Sequence, residues 1–168
     1  MSYKIWNAPM PTTAPPAAVA TGTSAKTMLQ LATPSTQQIQ LISWGYTLSG
    51  LPGATGTVEL IQTDVAATVT AHVASGIIQM DPNSPASLLT LGTSATGYTA
   101  SAEGSINATR LLDCDQFPTT SGLVPLDYDY QWMPDERPII PISKFLRVRA
   151  TMPTSGVNIL CWVCWNAL

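Results

Sequence analysis

Charge is the scarcest property of this sequence. Only 10% of its 168 residues are charged, 7 Lys+Arg and 10 Asp+Glu, against roughly 25% in an ordinary soluble protein. No acidic residue precedes Glu59, and no run of basic residues occurs anywhere. Without a basic stripe nothing tracks a phosphate backbone, so nucleic acid is not an expected partner. Histidine occurs once, at His72, and cysteine three times, at Cys114, Cys161 and Cys164. Three unevenly spaced thiols give no disulfide framework, which suits a reducing compartment. No stretch reaches the roughly 18 apolar residues of a membrane helix, so no membrane partner is expected. The opening residues MSYKIWNAPMPTTAPP lack the apolar core of a secretory signal. Synthesis in a host cytoplasm is the expectation.

Hydroxyls and turn formers take the place of charge. The chain holds 22 Thr, 14 Ser, 14 Pro and 11 Gly, a mixture that favours strands and turns over long helices. Net charge is −3, the isoelectric point is near 4.8 and mean hydropathy is +0.17. The length suits one domain with a sizeable core.

Residues 1–25 carry Pro9, Pro11, Pro15 and Pro16 among Thr and Ala, a composition that favours extended, polyproline-like chain. They are expected to form an arm that, fully extended, reaches on the order of 70 Å. Tyr3, Ile5 and Trp6 at its tip are unusual for a solvated tail. Either the terminus is floppy, or the tip docks on a neighbouring subunit through Tyr3, Ile5, Trp6, Pro9 and Pro11.

Residues 26–168 read as one all-β domain of short strands separated by turns. Strands are expected near 26–32, 37–48, 56–62, 65–73, 96–103, 105–113, 122–132, 139–142, 145–152 and 157–166. Clean two-residue alternation sets Val65, Ala67, Val69, Ala71 and Val73 against Thr68, Thr70 and His72. It also sets Val124, Leu126, Tyr128, Tyr130 and Trp132 against Asp127, Asp129 and Gln131, and Leu146, Val148, Ala150 and Met152 against Arg147, Arg149 and Thr151. The segment VNILCWVCWNAL at 157–168 is apolar on both faces. It is either a central strand or a buried contact between subunits. Residues 81–95 read as a long loop or a short helical turn.

Four groups could carry chemistry. Cys161 and Cys164 have redox or zinc spacing, but in a strand residues three apart diverge, and a structural zinc needs about four ligands. Packed core thiols are the expectation. His72 is the one side chain suited to a nucleophile triad, yet no Gly-x-Ser-x-Gly elbow occurs; an exposed strand residue is expected. Asp113 with Asp115, and Asp127 with Asp129, are i, i+2 pairs whose carboxylates share a face about 7 Å apart. That spacing occurs in inverting glycosidases and in calcium sites, and equally on a solvated face opposite Arg147 and Arg149, which is the reading adopted. Acid catalysis by Asp127 and Asp129 would be lost on Asp129→Asn. Among the aromatics, Trp44, Tyr46 and Trp132 read as core, while Trp6 and one of Trp162 or Trp165 are better placed for a partner. No cofactor and no metal is expected.

Three segments, SWGYTLSG at 43–50, TGYTASAEGSINATRLLD at 96–113 and FLRVRATMPTSGVNILCWVCWN at 145–166, resemble the small β-sandwich head decoration, or cement, proteins of tailed phages of actinobacteria. The resemblance covers about residues 26–166. It implies a jelly-roll-like sandwich, no enzymatic activity, and binding to the exterior of an icosahedral capsid. The implied partner is the major capsid protein, with a homo-oligomer, a trimer by preference, clamping adjacent subunits through the arm. A receptor- or glycan-binding tip module of a phage tail is the alternative.

Overall fold

Period-two alternation of apolar and polar side chains sorts the chain into two antiparallel sheets whose apolar faces meet. The computed structural model describes residues 1–9, 15–117, 126–153 and 157–168. In chain order the strands are β1 Ser2–Trp6, β2 Val19–Ala20, β3 Lys26–Ala32, β4 Ile39–Leu48, β5 Gly56–Thr63, β6 Thr68–Ala71, β7 Ile77–Gln79, β8 Gly97–Ala102, β9 Thr109–Phe117, β10 Asp127–Gln131, β11 Ile139–Ile140, β12 Phe145–Thr151 and β13 Asn158–Ala167. Sheet A has the order β10-β4-β13-β1-β7, with β11 also on β4 and β2 also on β13. Sheet B has the order β6-β8-β3-β12-β5-β9. The expected all-β sandwich is therefore what the chain forms. No helix among the described residues is long and apolar enough to cross a membrane.

One core joins the sheets. Trp44, Cys161, Val163 and Trp165 of sheet A pack in the same cluster as Met28, Leu60, Leu146 and Val148 of sheet B. Each such side chain contributes about 1.5–3 kcal/mol by leaving water. Leu146, Val148, Ala150 and Met152 are all buried, as the alternation requires.

The tip of the expected arm lies in the chain's own sheet. β1 pairs with β13 from Ser2↔Asn166 to Trp6↔Trp162, and with β7 from Tyr3↔Gln79 to Ile5↔Ile77. Tyr3 and Ile5 are buried in the main core, so the 1–25 boundary does not separate an arm from a body. The reason is the period of two in Ser2–Trp6, which hides Tyr3 and Ile5 and turns Lys4 and Trp6 outward. Pro9 is described; Pro11, the run 118–125 with Val124, and the turn 154–156 lie outside the described residues.

The segment 157–168 resolves as a central strand: β13 lies between β4 and β1. Ile159, Cys161, Val163 and Trp165 face the core. β9 runs four residues later than expected, and the strand read at 65–73 is shorter. Its pairing with β8 shifts register on either side of Val69, and past the end of β6 at Ala71 the expected faces are exchanged: His72 is buried at 3% exposure and Val73 is 48% exposed.

Arg147, expected on a solvated face, is fully buried. β12 is interior to sheet B, and loops cross the sheet's outer face there. The guanidinium donates to the Val65 and Glu103 carbonyls and pairs with the Glu103 carboxylate at 3.3 Å. Burial lowers its pKa, which the Glu103 charge opposes. Beside it Gln30 accepts from the Ala67 amide at 2.8 Å and donates to the Ala95 carbonyl at 2.6 Å, fastening two loops to β3.

Candidate functional site: the outer face of sheet A

Even-numbered residues of β1 and β13 point away from the core. Trp6 lies opposite Trp162, and Lys4 opposite Cys164. The Lys4 ammonium sits 4.4 Å from the Trp6 ring centre and 4.1 Å from that of Trp162. The two indoles are 6.2 Å apart and tilted by 58°. Such a cation over two rings contributes about 0.5–1 kcal/mol per contact when exposed. Trp162 can lie flat because its neighbour on β4 is Gly45. A Cβ there would come 2.8 Å from the indole and 2.5 Å from the Tyr128 carbonyl oxygen.

Asp129 lies opposite Gly45, and Asp127 opposite Thr47. A row of residues therefore runs Asp129, Gly45, Trp162, Trp6 across four strands, acidic at one end and aromatic at the other. Of the expected partner-binding residues, Trp6 and Trp162 come together here. Tyr3, Ile5 and Trp165 do not, because all three are buried in the core; Trp165 stacks on Tyr3 with ring centres 5.6 Å apart. Sequence reasoning missed Lys4 and Gly45, whose roles depend on strand register and not on local pattern.

The two carboxylate pairs separate. Asp127 and Asp129 are exposed on the outer face of sheet A. Asp113 and Asp115 are half-buried and turn toward sheet A, so the solvated-face reading does not hold for them. Asp113 accepts hydrogen bonds from the Trp44 indole at 2.9 Å and the Tyr128 hydroxyl at 2.8 Å. Asp115 accepts one from the Tyr46 hydroxyl. Burial, with the facing carboxylates, raises both phenols well above their ordinary pKa. Arg147 and Arg149 are not opposite these acids: they pair with Glu103 and Glu59.

His72 does not lie on an exposed face. Its Nε2 is 3.1 Å from the Trp6 carbonyl oxygen and its Nδ1 3.1 Å from that of Val73, and Tyr98 meets the ring edge-on at 5.7 Å. It fastens the end of β1 to the turn after β6. Cys161 is buried and Cys164 half-buried on opposite faces of β13, while Cys114 is exposed. Burial raises the pKa of all three thiols. No group of three or more His, Cys, Asp or Glu among the described residues could hold a metal ion.

What the outer face of sheet A offers is a broad strand surface with two indoles, one cation and two carboxylates, suited to contact with another surface. Comparison with known proteins returns no match: no family model, no curated protein and no solved structure matches this chain.

Proposed function

We propose that the chain is a structural virion protein, a jelly-roll-like decoration module that binds the exterior of a tailed-phage capsid and stabilises contacts between major capsid subunits. It acts as a homo-oligomer, a trimer by preference, and not as an enzyme. The observation that carries the reading is the outer face of sheet A, where Trp6, Lys4 and Trp162 form an aromatic surface beside small hydroxyl residues such as Ser43 and Thr47. The three segments that resemble decoration proteins support it. So does the scarcity of charge, because a surface with few ions loses little hydration when covered.

Co-sedimentation with bare capsids, built from the major capsid protein of the same phage, tests the proposal. Thr47→Arg places a long cation on the outer face without touching the core. Wild-type protein should saturate regular capsid positions, and the variant should lose at least tenfold in affinity. Absence of wild-type binding overturns the reading, and undiminished binding by the variant removes this face from it.

A tail-tip module that binds glycans is the second reading, favoured by two indoles on one face. The tilt of the rings and the ammonium over both leave no coplanar pair for a sugar to stack on. A glycan array separates the two, since saturable binding abolished by Trp162→Ala would favour the tip module.

A further inference from the structure

Strands β1 and β2 follow one another along the same edge of β13. Partner residue numbers add to 168 all along the β1 pairing and to 178 along the β2 pairing, a difference of ten. Removing ten residues would therefore leave one unbroken strand in perfect register. Asn7 ends the first part: its amide N–H donates to the Cys161 carbonyl at 2.9 Å. Its side chain accepts from the Cys161 amide and donates to the Ile159 carbonyl, both at 3.0 Å. Val19 resumes pairing at Ile159. The gap is two strand positions, about 7 Å.

Eleven residues, 8–18, join the two ends across that gap. Extended at about 3.1 Å per residue they would reach roughly 34 Å. Pro9, Pro11, Pro15 and Pro16 lie among them. Each proline fixes its own φ and pushes the preceding residue toward extended backbone. A segment biased to extend is poorly suited to doubling back over 7 Å, but well suited to carrying a strand away.

The place β1 fills cannot stay empty. Without it β13 and β7 would each present an unpaired edge inside sheet A, and the space of the Tyr3 and Ile5 side chains would open in the core. The best complement to that slot is another β1, with Ser2 donating to Asn166 at 2.6 Å and the Trp6 carbonyl reaching His72.

We propose that β1 is exchanged between copies of this chain, each copy donating Ser2–Trp6 to the slot between β13 and β7 of a neighbour. This deepens the oligomer reading above. The contacts described remain, now made between chains.

Three measurements on the full chain test it. Native mass spectrometry should give a whole multiple of 17.8 kDa, at least a doubling; a single-chain mass overturns the proposal. Deleting residues 8–17 leaves Ala18 to face Leu160 and makes Ser2–Ala20 continuous, so this variant should fall to single-chain mass. Retention of the wild-type mass overturns the proposal.

The third measurement reads the exchange itself. The amide of Asn7 bonds Cys161 and that of Ala167 bonds the Met1 carbonyl, so Lys4 and Cys164 form a non-hydrogen-bonded pair, in which Cβ atoms lie close enough for a disulfide. Lys4→Cys in a Cys114→Ser background, once oxidised, should run as two or more linked chains on a non-reducing denaturing gel. Single-chain migration overturns the proposal. This assay decides the matter even if the deletion variant fails to fold. An exchanged oligomer that ignores capsids would defeat the proposed function alone, and a single chain that binds them would defeat the exchange alone.

Discussion

Gly76 lies directly beneath the imidazole of His72. A Cβ at that position would come 2.2 Å from Cε1, and the ring is held by two carbonyls and cannot swing aside freely. Gly76→Ala should therefore destabilise the fold by about 1–3 kcal/mol through overpacking, measured by urea denaturation. The Gly76→Ala, His72→Ala double variant should cost less than the sum of the two single changes. The phenols of Tyr46 and Tyr128 support a pH prediction. Their folded-state pKa values are raised above the ordinary value near 10, so the stability they contribute is fully present below pH 10 and is lost as pH rises beyond it. The urea midpoint should fall as pH rises above 10, and Tyr46→Phe should flatten that fall. The thiols can be read in the same way. One thiol per native chain, Cys114, should react with a disulfide reagent, and slowly, because burial and the nearby Glu59 and Asp113 charges disfavour its thiolate.

At the level of single elements, the correction to β1 changes what a truncation reports. Removing residues 1–7 takes Tyr3 and Ile5 from the core as well as a strand from the middle of sheet A. Loss of those two side chains alone corresponds to about 3–6 kcal/mol, so the truncated chain should unfold at a much lower temperature or fail to fold, as thermal circular dichroism would show. A surface arm would have left the transition unchanged. The signal was present in Tyr3-Lys4-Ile5-Trp6, which alternates, but five residues ahead of a proline-rich segment carry less weight than the prolines do. β12 was legible because Phe145–Thr151 alternates, and β3 because Met28, Leu29, Leu31 and Ala32 form an apolar stretch broken only by Gln30. The burial of Arg147 was not, because the loops that bury it, at Val65 and Glu103, come from residues far along the chain; that of His72 was not, because Trp6, Val73 and Gly76 enclose its ring, contacts that a strand pattern does not show. Asp113 and Asp115 were visible as a pair; their aromatic donors, Trp44, Tyr46 and Tyr128, belong to the other sheet. Arg147→Ala tests the buried guanidinium on β12. It removes the bonds to the Val65 and Glu103 carbonyls and the ion pair, while Glu103, 25% exposed, keeps its hydrogen bonds from Thr27, so it should cost about 1–3 kcal/mol.

Across the whole molecule, low charge means that packing and hydrogen bonds carry nearly all of the stability. The described residues hold two ion pairs, Arg147–Glu103 and Arg149–Glu59, and of their four side chains only that of Arg147 is fully buried. Raising salt from 0.05 to 0.5 M should therefore move the unfolding midpoint by less than about 0.5 kcal/mol. The sandwich class and its strand-rich composition were legible because alternation is a local property. Which strands adjoin was not, since β13 pairs with β1 and β4, partners more than a hundred residues away.

The position of β13 also sets a timetable for folding during synthesis. β13 is the strand on which β4, β1 and β2 all rest, yet it is the last one translated. Until residues 158–167 leave the ribosome, β4 and β1 have no partner between them, and sheet A cannot close over sheet B. At about 5–20 residues per second the earlier strands wait for several seconds with Trp44, Leu41 and Ile5 uncovered. Over that interval the nascent chain is a client for any holdase in the cell, and the mature fold forms late and all at once.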